Sequence, residues 1–152
     1  MIKEDKKNRR NKAKEFLLSA VDLAVYIESL QARLHQLETR AKNKGMSMEN
    51  VKLGTKVSSK LYNADNLYCA IIIVKDSISQ NLILFEEKYK KVHKVLSMFD
   101  DIKMQMIMEY RYLQGMPWAQ IAEKTGYSER SLYRIHNKAL DLTADILDNM
   151  EQ

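Results

Sequence analysis

The sequence predicts an all-α chain: a long antiparallel helical hairpin of coiled-coil type over residues 1–99, then a C-terminal helix–turn–helix domain over 100–152. Three observations predict it. The 152 residues include one Pro and four Gly, so few breakers interrupt a chain rich in Leu, Ile, Met, Lys and Glu. Apolar residues recur at alternating spacings of three and four over two stretches of roughly forty residues each. Finally, Gly126 alone separates two shorter apolar patterns in EKTGYSERSLYRIHNKAL, residues 123–140. With 45% apolar residues the chain can build a packed core.

The first helix is expected from about Lys6 to Lys42. Phe16, Ala20, Leu23, Ile27, Leu30, Leu34, Leu37 and Ala41 are spaced 4, 3, 4, 3, 4, 3 and 4, which is a heptad seam. Polar and charged residues such as Asp22, Glu28, Arg33 and Glu38 fill the positions between. A loop follows over 43–58, where Gly45 and Gly54 flank Ser, Asn and Lys, with a short turn around Met48 to Leu53. The seam resumes at Leu61, Ala64, Tyr68 and Ile71, and continues through Ile78, Leu82, Phe85, Tyr89, Val92 and Leu96. Lys75 fills the missing slot; its stem is expected to pack while its ammonium reaches water. Two helices of matched length joined by one loop fold back on each other. Ile72, Val74, Leu84 and Val95 lie off this seam. That surplus asks for a partner: the C-terminal domain, or a second copy of the chain in a dimer or tetramer.

Cys69 cannot form an internal disulfide and sits in an apolar run, so a buried, reduced thiol in a cytoplasmic chain is expected. The charged opening MIKEDKKNRRNKAKEF has no apolar segment of a secretory signal. The longest apolar run, Tyr68 to Val74, is too short to cross a bilayer, so no membrane partner is expected. The net charge is +5, unevenly spread. Residues 1–14 carry seven Lys/Arg, residues 42–60 five Lys, and residues 141–152 four acids and no base. A polyanionic partner fits this distribution. The basic start has no scaffold to aim it, so any contact with DNA is expected at phosphate.

After Ser97–Asp101 breaks the seam, Asp100-Asp101 can cap a helix with Ile102, Met106, Tyr110 and Leu113 on its inner face. Gly115 ends it and Pro117 begins the next, where its missing N–H is not needed. Trp118, Ile121, Ala122 and Thr125 mark a short helix that Gly126 stops. Ser128 caps a third helix, whose buried face is Leu132, Ile135, Ala139 and Leu140. These offsets fit a DNA-binding helix–turn–helix. Ala122 is the small residue at the helix crossing, Gly126 makes the turn and Tyr127 holds it down. Trp118, Ile121, Leu132 and Ile135 complete the core. The outer face then carries Ser128, Glu129, Arg130, Tyr133, Arg134, Asn137 and Lys138. Arg reads guanine, Asn adenine and Glu the cytosine amino group in the major groove. His136 is expected half-exposed.

Residues 109–140, EYRYLQGMPWAQIAEKTGYSERSLYRIHNKAL, resemble region 4 of bacterial sigma factors, down to the cadence of Ile135, Lys138, Ala139 and Leu140. Over about residues 15–142 the chain resembles phage and prophage late-transcription regulators of the ArpU/RinA type. That resemblance implies an activator of phage late genes, often packaging genes, bound to double-stranded DNA in a bacterial cytoplasm. It also allows contact with bacterial RNA polymerase. Pro117 stands where those relatives often have a Ser-type cap, and the basic first fourteen residues have no counterpart in that family pattern.

Rival classes are weaker. An enzyme needs clustered acids, nucleophiles or ligands, whereas His35, His93 and His136 fall on three separate helices; no catalytic residue, cofactor or metal site is expected. A small terminase subunit, which also binds DNA, usually has its DNA-binding part first, the reverse of this order. An adaptor that binds polymerase without reading DNA shares the same fold pattern.

Overall fold

The computed structural model describes residues 1–45 and 59–152, with side chains described through 45 and from 66 onward. It contains the helices α1 (Ile2–Asn43), α2 (Ser59–Leu96), α3 (Ile102–Tyr112), α4 (Trp118–Thr125) and α5 (Glu129–Met150), and no strand among the described residues. The chain is therefore all-helical where described. Most of the loop expected over 43–58 lies outside the described residues, as do the side chains of the seam positions Leu61 and Ala64. Helix α1 starts ahead of Lys6, with Glu4 and Asp5 in its first turn and Arg40 and Lys42 in its last, each of the sign the helix dipole favours. Helix α5 carries on through the acidic residues to Met150.

The chain forms two compact units, Met1–Ala24 with Phe85–Gln152, and Val25–Leu84. The cuts fall inside α1 and α2. They do not coincide with the seam break at Ser97–Asp101 on which the division into 1–99 and 100–152 rests, because the ends of both long helices supply side chains to the core around α3 and α5.

Within Val25–Leu84, Ile27, Leu30, Ile71 and Val74 are buried, and Lys75 Nζ lies 3.5 Å from Glu38 Oε1. The seam drifts around α2. Val74 is buried although off the heptad line, whereas Leu82, on it, is exposed. A straight helix of 3.6 residues per turn rotates relative to a strict heptad, so a long seam cannot keep one face. Cys69 is exposed, not buried. It shares the outer side of α2 with Ile72, Ile73, Ile83 and Leu84, which are also exposed. By length and composition alone an 18-residue stretch within Asn66–Leu96 is apolar enough to cross a membrane, with a mean hydropathy of 1.4. Lys75 and Asp76 in the middle of that stretch, the former ion-paired, count against it.

The larger core of the other unit is built from α1 (Ala13, Leu17, Ala20), the end of α2 (Val92, Leu96, with Phe99 beyond it), α3 (Met108, Tyr112) and α5 (Ala139, Leu140, Ala144). Ala13 extends the α1 seam backwards by the same alternation, but next to it Leu17, off the seam, is buried while the seam residue Phe16 is half-buried. Tyr89, expected on the seam, is exposed, and Val95, expected off it, is buried. Helix α3 also differs from expectation. Ile102 and Met106 are exposed, whereas Ile107, Met108 and Tyr112 are buried. Its sequence, IKMQMIMEYRY, is apolar on nearly every side, and the helix serves two cores: Met108 and Tyr112 face the one just described, and Ile107 faces a second, beneath α4 and α5.

Candidate nucleic-acid interface

Helix α3 starts where Asp101 Oδ1 accepts from the backbone N–H groups of Lys103 (2.9 Å) and Met104 (3.3 Å). After it, Gly115 takes a left-handed φ of 68° and the chain turns into α4. Arg111 holds this turn. Its Nη1 donates to the Met116 carbonyl at 3.0 Å, and its guanidinium carbon lies 5.1 Å from the Trp118 ring centroid. Pro117 occupies the N-cap position in extended conformation rather than the first helical position, so α4 begins at Trp118 without a side-chain cap.

The second turn is tighter. Gly126 has φ 74°, and its N–H donates to the Ala122 carbonyl at 2.9 Å. A Cβ at Gly126 would meet nothing within 4 Å. The position therefore asks for backbone freedom rather than for space. Ser128 then caps α5, its Oγ accepting from the Ser131 N–H at 3.2 Å.

Beneath the two turns Ile107, Ile121 and Leu132 are fully buried, with Trp118, Ala122, Tyr127 and Ile135 packed against them. Ile135 is half-buried rather than buried, and Tyr110 and Met116 join the cluster. Ile107 was not singled out by its spacing, because its neighbours Met106 and Met108 are equally apolar.

His136 departs from the half-exposed position expected of it. It is 7% exposed, and its Nε2 shares a 2.6 Å hydrogen bond with Tyr112 Oη. Its ring also stacks on Tyr112 and meets the edge of Trp118 at 4.8 Å. Burial, reinforced by Lys14, Arg111 and Arg10, pushes its pKa down to about 4, so the ring is neutral at pH 7. Burial also pushes the Tyr112 hydroxyl up to about 12, against the opposing pull of Arg111.

The outer surface of α5 carries Ser128, Glu129, Arg130, Tyr133, Arg134, Asn137 and Lys138, all exposed. Ser128 is engaged as the cap. Tyr133 is steadied from below by a near-parallel Trp118 ring at 6.2 Å. Arg130, Arg134 and Lys138 form no ion pair among the described residues. Their forks and ammonium group are free to meet an anion or a base edge.

The basic start of the chain is not free in this way. Arg9 donates to Asp145 at 2.8 Å and to Asp148 at 2.6 Å. Arg10 makes a two-pronged contact with Asp141 at 2.6 and 2.7 Å, and Lys6 Nζ approaches the same carboxylate at 3.3 Å. The hydrogen bond from Arg10 holds the Asp141 carboxyl below its ordinary value, and the carboxylates raise both guanidinium pKa values. An unscaffolded basic segment was expected. Instead the first turns of α1 are fastened along the acidic end of α5.

The chain belongs to a family of proteins of unknown function, DUF1492, whose model matches residues 44–143. That span takes in α2 to α4 and most of α5, including every candidate residue from Ser128 to Lys138. No curated protein and no solved structure matches the chain.

Proposed function

We propose that the chain is a sequence-specific DNA-binding transcriptional regulator, with α4, Gly126 and α5 acting as its helix–turn–helix and α5 as the helix that enters the major groove. One observation carries this reading. Beyond a left-handed turn at Gly126 and a capped helix start at Ser128, α5 presents Arg130, Arg134 and Lys138, unpaired among the described residues, with Asn137, on its exposed side. These residue types are able to read base edges and hold phosphate, and a rigid core of Ile107, Ile121 and Leu132 supports them. The likeness to sigma region 4 and to ArpU/RinA-type regulators extends the reading to activation of phage or prophage late genes. In the same reading, residues 1–99 form the hairpin through which copies associate. The apolar side chains left exposed on Val25–Leu84 support that role. A symmetric dimer would offer two such helices to a two-fold site.

The test is selection of bound duplexes from a random pool, followed by footprinting of the enriched sequence. A protected, two-fold site in the major groove supports the reading. Equal retention of all duplexes, or of none, sinks it.

A further inference from the structure

The exposed face of α5 changes sign along its length. Arg134, Lys138, Asp141, Asp145 and Asp148 follow one another at steps of four, three, four and three, so they form one stripe. Its first part carries the cations proposed to meet DNA, and its second part carries three acids. Asp141 lies about 4.5 Å along the axis from Lys138 and Asp145 about 10 Å. At physiological salt the screening length is about 8 Å. Left bare, Asp141, and Asp145 to a lesser degree, would oppose a phosphate backbone approaching Lys138. They are not bare. Arg9 covers Asp145 and Asp148, and Arg10 with Lys6 covers Asp141.

We infer that the basic first turns of α1 act as a charge mask: Arg9 and Arg10 promote DNA binding by neutralising the acids on the stripe of α5 rather than by touching DNA. The inference rests on the DNA-binding reading above and adds two positioning residues outside the helix–turn–helix. It also accounts for a basic segment and an acidic segment at opposite ends of the sequence, since each compensates the other. The pairs are exposed and individually weak. Their effect is on the field that an incoming polyanion meets, more than on folding.

Binding is measured with a labelled random-sequence DNA duplex at low and moderate salt, using four full-length proteins. These are the wild type, Arg9→Ala/Arg10→Ala, Asp141→Asn/Asp145→Asn/Asp148→Asn, and the five substitutions together. The mask predicts that the Arg pair variant binds about tenfold more weakly at low salt, the difference shrinking as salt rises. The Asn variant binds at least as tightly as the wild type, and the five-fold variant matches it. Three results overturn the inference. If removing the Arg pair costs the same factor in the Asn background, the arginines touch phosphate directly. If removing them tightens binding, the segment is an obstruction. If the Asn variant binds as weakly as the Arg variant, the pairs matter only as a structural clasp. A wild type that binds no duplex at any salt brings down the DNA-binding reading itself, a failure distinct from these three.

Discussion

Tyr112 of α3 and His136 of α5 share a 2.6 Å hydrogen bond in the interior of the unit that carries the candidate interface. The bond satisfies two polar atoms that burial takes from water, and it ties α5 to α3. Because His136 is neutral here, the contact makes stability depend on acid.

The sign follows from the two pKa values. His136 titrates at about 4 in the folded chain and at 6.5 when unfolded. Between these values the unfolded chain holds a proton that the folded chain does not. Stability from this source is complete above pH 6.5 and falls as the pH drops towards 4, by up to about 3 kcal/mol. Lys14 and Arg10 from α1 and Arg111 from α3 face the ring and deepen the effect. Asp141, whose pKa lies below 3.8, acts at still lower pH. Denaturant melts of wild type and His136→Gln at pH 7 and pH 5 check this. The wild type should lose more stability between those pH values than the variant.

Gly126→Ala should destabilise the chain by about 1–2 kcal/mol, because φ 74° is costly for a side chain although nothing blocks the Cβ. Gly126→Asn should cost less, since Asn tolerates the left-handed region. Equal losses for both would point to a clash.

On a selected duplex, Arg134→Ala or Asn137→Ala should cost about 1–3 kcal/mol of binding and relax preference at one base pair, if that side chain meets a base edge. Titrations on the selected duplex and on single-base variants of it provide the readout. Uniform weakening on every duplex would assign that residue to phosphate.

The proposed self-association through the outer side of α2 would have a built-in reporter. Cys69 is exposed there, alongside Ile72 and Ile73. A thiol cross-linker should join two copies through Cys69, and Ile72→Asp/Ile83→Asp should abolish both the product and the larger mass in light scattering. Circular dichroism should be unchanged, because both side chains are already exposed.

A fragment of residues 98–152 should fail to fold cooperatively. It keeps Ile107, Ile121 and Leu132 together but strips Leu17, Val92 and Leu96 from Met108, Tyr112 and Leu140. Adding residues 1–24 as a peptide cannot restore Val92 and Leu96. A sharp thermal transition in the isolated fragment would contradict this.

The helices themselves were legible in the sequence. The heptad alternation, Gly115, Gly126, Asp101 and Ser128 are local signals, and each marks an element or an end. The packing partners of those helices were not. Nothing local separates Met106 from Met108, and only the two cores on either side of α3 decide which is buried. His136 reads as half-exposed because its neighbours Arg134, Asn137 and Lys138 are polar; Tyr112, twenty-four positions earlier, is what admits it to the interior. The candidate face of α5 was recognisable from residue types and spacing. The ion pairs of Arg9 and Arg10 were not, since both charge runs were visible but no pattern within either one points to the other.

Those pairs bridge 131 to 139 positions of chain. The unit bearing the candidate interface is thus assembled from two separated stretches of the polypeptide, with Val25–Leu84 between them. A growing chain has made α1 long before Asp141 emerges from the ribosome, so this unit cannot close until α5 has been synthesised. Loop closure over such a span also slows its formation relative to the local helices. A chain cut short between Tyr112 and Ala139 would leave apolar Leu17 and Tyr112 without the cover that Ala139, Leu140 and Ala144 supply.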